Sequence, residues 1–264
     1  MTELGRPTTA HPLAPGTTGL TIDWAGVTDV GLRRAHNEDS YVAQAPVFVV
    51  ADGMGGHSAG DVASDAVVRR IEEAAVRDRL TTDDLEEALR LATADIAVAA
   101  AETELGVGTT ATGAFLSDDD GEPEFTIFNV GDSRVYLVDA GVLQQVTVDH
   151  SVVQEMVDAG LLRAEDAENH PDSNVITRAV GFDVAQRPDY WRVPARAGLR
   201  LLVCSDGLTK ELSAADIERV LAAEPESLGA ASALVRAAVE AGGRDNVTAV
   251  VVDVRGTEGE QPGA

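Results

Sequence analysis

Four apolar runs of the chain each break at an aspartate beside glycine or asparagine: VVADGMGG at Asp52, FNVGDSR at Asp132, LLVCSDGL at Asp206 and GGRDNVTAV at Asp245. A fifth acidic pair, Glu38 and Asp39 in HNEDS, stands where another strand begins. One Asp-Gly after a strand is ordinarily a turn; five such sites in one chain point to chemistry. A carboxylate at the tip of a buried strand is costly to desolvate, and the cost grows when several converge. Hard divalent ions such as Mg²⁺ or Mn²⁺ relieve it, taking oxygen ligands from carboxylates, backbone carbonyls and water. The chain offers oxygen of this kind but only one cysteine, Cys204, and no Cys/His cluster with zinc-ligand spacing. Gly53 then has a reason, because a backbone carbonyl can turn toward an ion where the chain is free to bend.

These residues need strands to hold them. Strand-like runs are TIDWAGVT, DSYVAQA, VFVVAD, TTATGAFL, FTIFNVG, RVYLVD, VLQQVT, YWRVPA, RLLVCSD and VTAVVVDV. Helical spacing follows Ser58 (Val62, Ala66, Val67, Ile71) and Thr82 (Leu85, Ala88, Leu89, Ala92, Ile96). SVVQEMVDAGLL predicts a short helix that ends at Gly160, Ser213 with Asp216 predicts a capping box, and Ser227 is a candidate cap for a last helix through Leu234, Val235 and Val239. Long helices, then a block of strands, then helices again argue for antiparallel sheets covered by helices, an α+β protein, and against a doubly wound parallel sheet.

The acidic stretch SDDDGEPE from Ser117 to Glu124 reads as a hairpin loop, so one domain is expected over residues 20–254, between a flexible arm at 1–19 and a polar tail at 255–264. With 44% hydrophobic residues the chain can bury a core; 45 acidic against 20 basic residues, a net charge of −25, disfavour nucleic acid as a partner. The N-terminal stretch lacks the continuous apolar run of a signal peptide, and no long apolar span appears. A cytoplasmic protein without membrane anchor is expected.

In their order, RAHNEDS, VADGMGGHSAG, GTTAT, FNVGDSRVYLV, DHSVVQEMVDAG, ITRAVG, LLVCSDGL and GGRDNVTAVVV resemble the metal-dependent serine/threonine protein phosphatases of type 2C, especially bacterial members, over about residues 22–254. The resemblance implies a four-layer sandwich, two central antiparallel sheets flanked by helices on both sides. It also implies hydrolysis of phosphoserine and phosphothreonine in proteins by a hydroxide bridging two Mn²⁺ or Mg²⁺ ions, opposing a serine/threonine kinase, in a monomer. Asp52 is then the bridging carboxylate, with Glu38 and the Gly53 carbonyl on one ion and Asp206 and Asp245 on the other. Asp132, with Asp206, matches a third, weaker ion; Arg34 matches the arginine that grips the substrate phosphate; Asp39 supports water bound to the ions. Two ions roughly 3.5–4 Å apart bring a shared water to hydroxide near neutral pH, and a guanidinium can fork two phosphoryl oxygens where a lysine cannot.

Some positions depart from the pattern or stay open. Met54 stands where eukaryotic members carry a histidine thought to protonate the leaving group, so the general acid is unassigned, with His36 and His57 as candidates beside a metal-bound water. Arg33 is the fallback for Arg34. His150 could cap the next helix or line the cleft, and Arg134 and Arg178 suit ion pairs better than second phosphate contacts. Residues 149–180 correspond to a flap beside the site. Cys204 does not fit a cysteine-nucleophile phosphatase, because Lys210 occupies the arginine position of C-x5-R; a buried strand residue is expected there. Two other functions compete: a catalytically silent relative acting as a binding module, and hydrolysis of a small phosphoester or of a partner-switching regulator.

Overall fold

The computed structural model describes residues 1–13, 19–55, 59–75, 80–100, 106–119, 122–168, 170–182 and 187–256. Its centre is explained by strands with no polar face. In β5 (Val47–Met54), Phe48 and Val50 point into one apolar cluster while Val47, Val49 and Ala51 point into another. In β12 (Arg200–Cys204), Leu201 and Val203 face the same central cluster, and Leu202 and Cys204 face a third. Side chains alternate along a strand, so an unbroken apolar run needs a layer on each side.

One sheet has the order β1 (Glu3–Leu4), β4 (Asp39–Gln44), β5, β7 (Ala111–Asp119), β8 (Glu122–Val130), β11 (Asp189–Pro194), with β6 (Gly108–Thr109) also on β5. The other runs β10 (Val142–Gln145), β9 (Arg134–Asp139), β12, β13 (Val247–Gly256), β3 (Leu20–Asp29), β2 (Thr8–Pro12). Pairing is antiparallel throughout except that β1 runs parallel to β4. Helices α1 (Ala59–Ala75) and α2 (Thr82–Ala100) cover the first sheet through Val67, Ile71, Leu85 and Ile96. Helices α6 (Ala214–Ala223) and α7 (Ser227–Ala241) cover the second through Ile217, Leu221, Leu234 and Val235. Ile22, Trp24, Phe48, Phe125 and Leu201 fill the space between sheets. The result is the expected four-layer sandwich. No helix among the described residues is long and apolar enough to cross a membrane.

All ten strand-like runs are strands, and Ser213 and Asp216 form the capping box of α6; the stretch expected as a hairpin loop is instead paired strand from Ser117↔Glu124 to Asp119↔Glu122, and residues 120–121 lie outside the described residues. α3 (Val152–Asp158) is capped by Ser151, and Gly160 follows it at φ +70°. Two short helices, α4 (Ala164–Ala167) and α5 (Asp206–Thr209), were not expected. Ser227 caps nothing; its hydroxyl donates to Asp253 instead, at 2.8 Å. The N-terminal arm needs a larger correction. Residues 3–4 and 8–12 pair onto the edges of both sheets, with the Ala10 N–H on Asp23 at 2.7 Å and Leu13 buried. Edge strands leave unpaired donors and acceptors that even a Pro- and Thr-rich segment can meet, and no periodicity in that segment reveals it. At the other end β13 runs on through Gly256, with Arg255 paired to Asp23 at 2.9 Å; residues 257–264 lie outside the described residues.

Candidate active site

Strand register gathers the acids at one end of the sandwich. Cys204, the last residue of β12, sits opposite Ala249 of β13 and Arg134 of β9. Asp206 just past β12, Asp245 just before β13 and Asp132 just before β9 therefore share one end of the second sheet. In the first sheet Asp39 opens β4 directly opposite Asp52 of β5. Two connections cross between the sheets here, residues 30–38 from β3 to β4 and 131–133 from β8 to β9. Together they complete a cleft of about 610 Å³ whose lining includes Arg34, Glu38, Asp52, Gly53, Asp132, Asp206 and Asp245. Asp39 alone of the sequence-derived set lies beneath the cleft, fully buried.

Short contacts fix these positions. Asn246 donates to the carbonyls of Val30 and His36, both at 3.0 Å, and accepts from the Glu38 N–H at 2.8 Å, clamping the loop that carries Arg34 and Glu38. Thr110 accepts from the Asp52 N–H at 2.9 Å. Gly53 has an ordinary φ; it must be glycine because the Gly60 carbonyl at the start of α1 lies where a Cβ would stand, and the Gly53 N–H donates to the Glu38 carbonyl at 3.2 Å. Close approach, not backbone freedom, is the reason for that residue. His150 accepts from the Gly131 N–H at 3.1 Å and contacts Asp189 at 3.1 Å, so it buttresses the loop beside Asp132; capping of α3 belongs to Ser151.

The electrostatics are those of crowded anions. Burial, and then repulsion from Asp206 and Asp245, pushes the Asp39 carboxyl up to about 7, although Thr248 and Ser205 donate to its Oδ2 at 2.6 and 2.8 Å. Its Oδ1 is buried without a hydrogen-bond partner. Burial and the carboxylates of Asp39, Asp206, Asp132 and Asp245 raise Asp52 well above the usual range; burial and Asp206 take Asp132 to about 8. Glu38 is raised by burial and Asp61. Local cations offset part of this: Arg34 reaches Asp245 at 2.8 Å and Lys210 contacts Asp206. As arranged, no three acidic, histidine or cysteine side chains among the described residues are gathered at ion-binding distance. The donor chemistry nevertheless fits hard divalent cations: oxygen throughout, Asp52 and Asp132 raised by burial and by neighbouring carboxylates, and one orphaned carboxylate oxygen just below.

The remaining candidates divide. Met54 lines the cleft. His36 is exposed on its loop, Arg33 is exposed outside the cleft lining, and His57 lies outside the described residues. Arg134 pairs with Asp149 at 2.6 Å and Glu168 at 3.0 Å, and Arg178 with Asp189 at 3.1 Å, the ion pairs expected of them. Cys204 is a buried strand residue whose thiol burial pushes up to about 12. Sequence reading missed Asn246, which stood beside a motif aspartate, and Lys210, whose spacing of four from Asp206 within a helical turn was its one signal.

Residues 33–240 match the protein phosphatase 2C family. The chain is 38% identical over 239 residues to the serine/threonine phosphatase stp of Listeria monocytogenes, an alignment that spans 86% of this chain and 93% of that protein. Its fold is similar to the crystal structure of the Mycobacterium tuberculosis serine/threonine phosphatase PstP/Ppp, with a TM-score of 0.81 and 38% identity over 90% of this chain and 99% of the other. It is also similar to the catalytic domain of the serine threonine protein phosphatase PstP in complex with two manganese ions, with a TM-score of 0.80 and 37% identity over 89% and 99% of the two chains.

Proposed function

The chain belongs to the protein phosphatase 2C family and is a metal-dependent serine/threonine phosphoprotein phosphatase, and from that premise we propose how its own residues divide the work. Glu38, Asp52 and the Gly53 carbonyl would hold one divalent ion, Mn²⁺ or Mg²⁺; Asp52, Asp206 and Asp245 would hold a second; Asp132 with Asp206 would form a third cation position. When bound, the ions supply the charge that activates the attacking water and neutralises the phosphoryl oxygens. Arg34, half-exposed on the rim, exchanges Asp245 for the substrate phosphate and orients it by a two-point fork. Asp39, from below, receives hydrogen bonds on its orphaned Oδ1 and so fixes the solvent around Asp52.

The observation that carries this reading is the meeting of Glu38, Asp52, Asp206 and Asp245 on one cleft with the guanidinium of Arg34 at its edge; the other arginine of the lining, Arg244, is held by Glu211 at 2.8 Å. The protein acts in the cytoplasm as a monomer and opposes a serine/threonine kinase. Turnover of a phosphothreonine peptide will require Mn²⁺ or Mg²⁺, stop in EDTA and resume when the ion is returned. Asp52→Asn and Asp206→Asn will lower kcat by orders of magnitude at unchanged circular dichroism, and Arg34→Ala will chiefly raise KM. Full turnover in EDTA would remove the reading, and near wild-type rates for the aspartate variants would remove the ligand assignment. Light scattering after gel filtration checks the monomer, and a phosphoproteome with and without the gene checks the kinase opposition.

A further inference from the structure

Lys210 is a cation that the chemistry above does not use. It follows directly on α5, the single turn that opens with Asp206, and the spacing of four brings its ammonium back onto Asp206 Oδ2. That contact engages one oxygen of the carboxylate, Oδ2. Asp132 borders the same two hollows as Lys210 and Asp206: the main cleft and an adjoining cavity of about 40 Å³. The other cation on that cavity, Arg134, is committed to Asp149 and Glu168.

We propose that Lys210 is a built-in cation for the Asp132–Asp206 pair, occupying the place of a third divalent ion so that this chain takes up two ions where three carboxylate-lined positions exist. The proposal rests on the ligand reading above. A divalent ion must shed water and collect about six oxygens, whereas a lysine ammonium is a compact charge on a flexible stem that is already tethered. The tether removes the need to recruit a weak ion from solution.

Manganese stoichiometry by calorimetric titration, with metal content measured at saturation, tests this. Wild type will bind two ions. Lys210→Met, which keeps the stem and deletes the charge, will bind three, the third at least tenfold weaker; Lys210→Arg will bind two, and Lys210→Met with Asp132→Ala will return to two. Three ions on wild type, or only two on Lys210→Met, overturns the proposal and leaves the ligand reading standing. Fewer than two ions on wild type overturns both. Should Lys210→Met not fold, anomalous diffraction from manganese-soaked wild-type crystals decides: a peak between Asp132 and Asp206 overturns the proposal, and peaks confined to the Glu38–Asp52–Asp245 region support it.

Discussion

Asn246 shows how much of the site depends on a neutral side chain. Its three hydrogen bonds hold the β3–β4 crossing to the start of β13, so the loop bearing Arg34 and Glu38 is positioned from the same segment that supplies Asp245. Partners one step removed from ion-binding groups typically govern about 10–100-fold in affinity or activity. Asn246→Ala is therefore expected to lower kcat/KM by about that factor while the melting temperature falls only modestly; unchanged kinetics would show that the loop holds itself. His150 sets a pH limit of a different kind. Its Nδ1 accepts from the Gly131 N–H, so the imidazole is held neutral, and burial lowers its affinity for a proton. A folded-state value below the ordinary 6.5 means that the stability it contributes is complete above that pH and is lost as pH falls below it toward the lowered value. Between pH 7 and pH 5 wild type should lose more melting temperature than His150→Asn, whose amide oxygen can accept from Gly131 without titrating; equal losses would contradict this.

At the scale of elements, the outer helices are tied to the sheets by polar groups as well as apolar faces. Arg200 at the start of β12 reaches Asp253 of β13 at 2.6 Å and donates to the carbonyls of Leu221, Glu224 and Pro225 at the α6–α7 turn. Ser227, at the start of α7, adds a bond to the same aspartate. The pair is almost wholly buried and fully bonded, a geometry in which removing one partner costs about 3–5 kcal/mol because the other charge is stranded. Arg255, at 3.5 Å from Asp253, offsets part of that, so Arg200→Met should cost about 3 kcal/mol in urea unfolding. Arg200→Met with Asp253→Leu should recover most of the loss; no recovery would mean that the carbonyl contacts, not the ion pair, carry the stability.

At the scale of the whole molecule, a net charge of −25 surrounds a cleft that must admit a phosphate. Repulsion of this kind acts on association over about a Debye length, 10 Å at 0.1 M salt. At low ionic strength, phosphopeptides flanked by lysine and arginine should show lower KM than those flanked by aspartate and glutamate, and the gap should narrow as NaCl is raised. A gap indifferent to salt would assign the preference to direct contacts. The sequence by itself determined the strands, the two helical layers and the acids, because apolar runs with no polar face demand cover on both sides and because four carboxylates at strand ends have no inexpensive fate other than cations. Only the tertiary structure decided that Gly53 is required by the carbonyl of Gly60, that the N-terminal arm zips onto both sheets, that Asn246 clamps the loop carrying Arg34 and Glu38, and that Lys210 lies on Asp206. Each of those is a meeting of groups distant in the chain or across a turn, and alternation along one segment carries no information about what another segment brings against it.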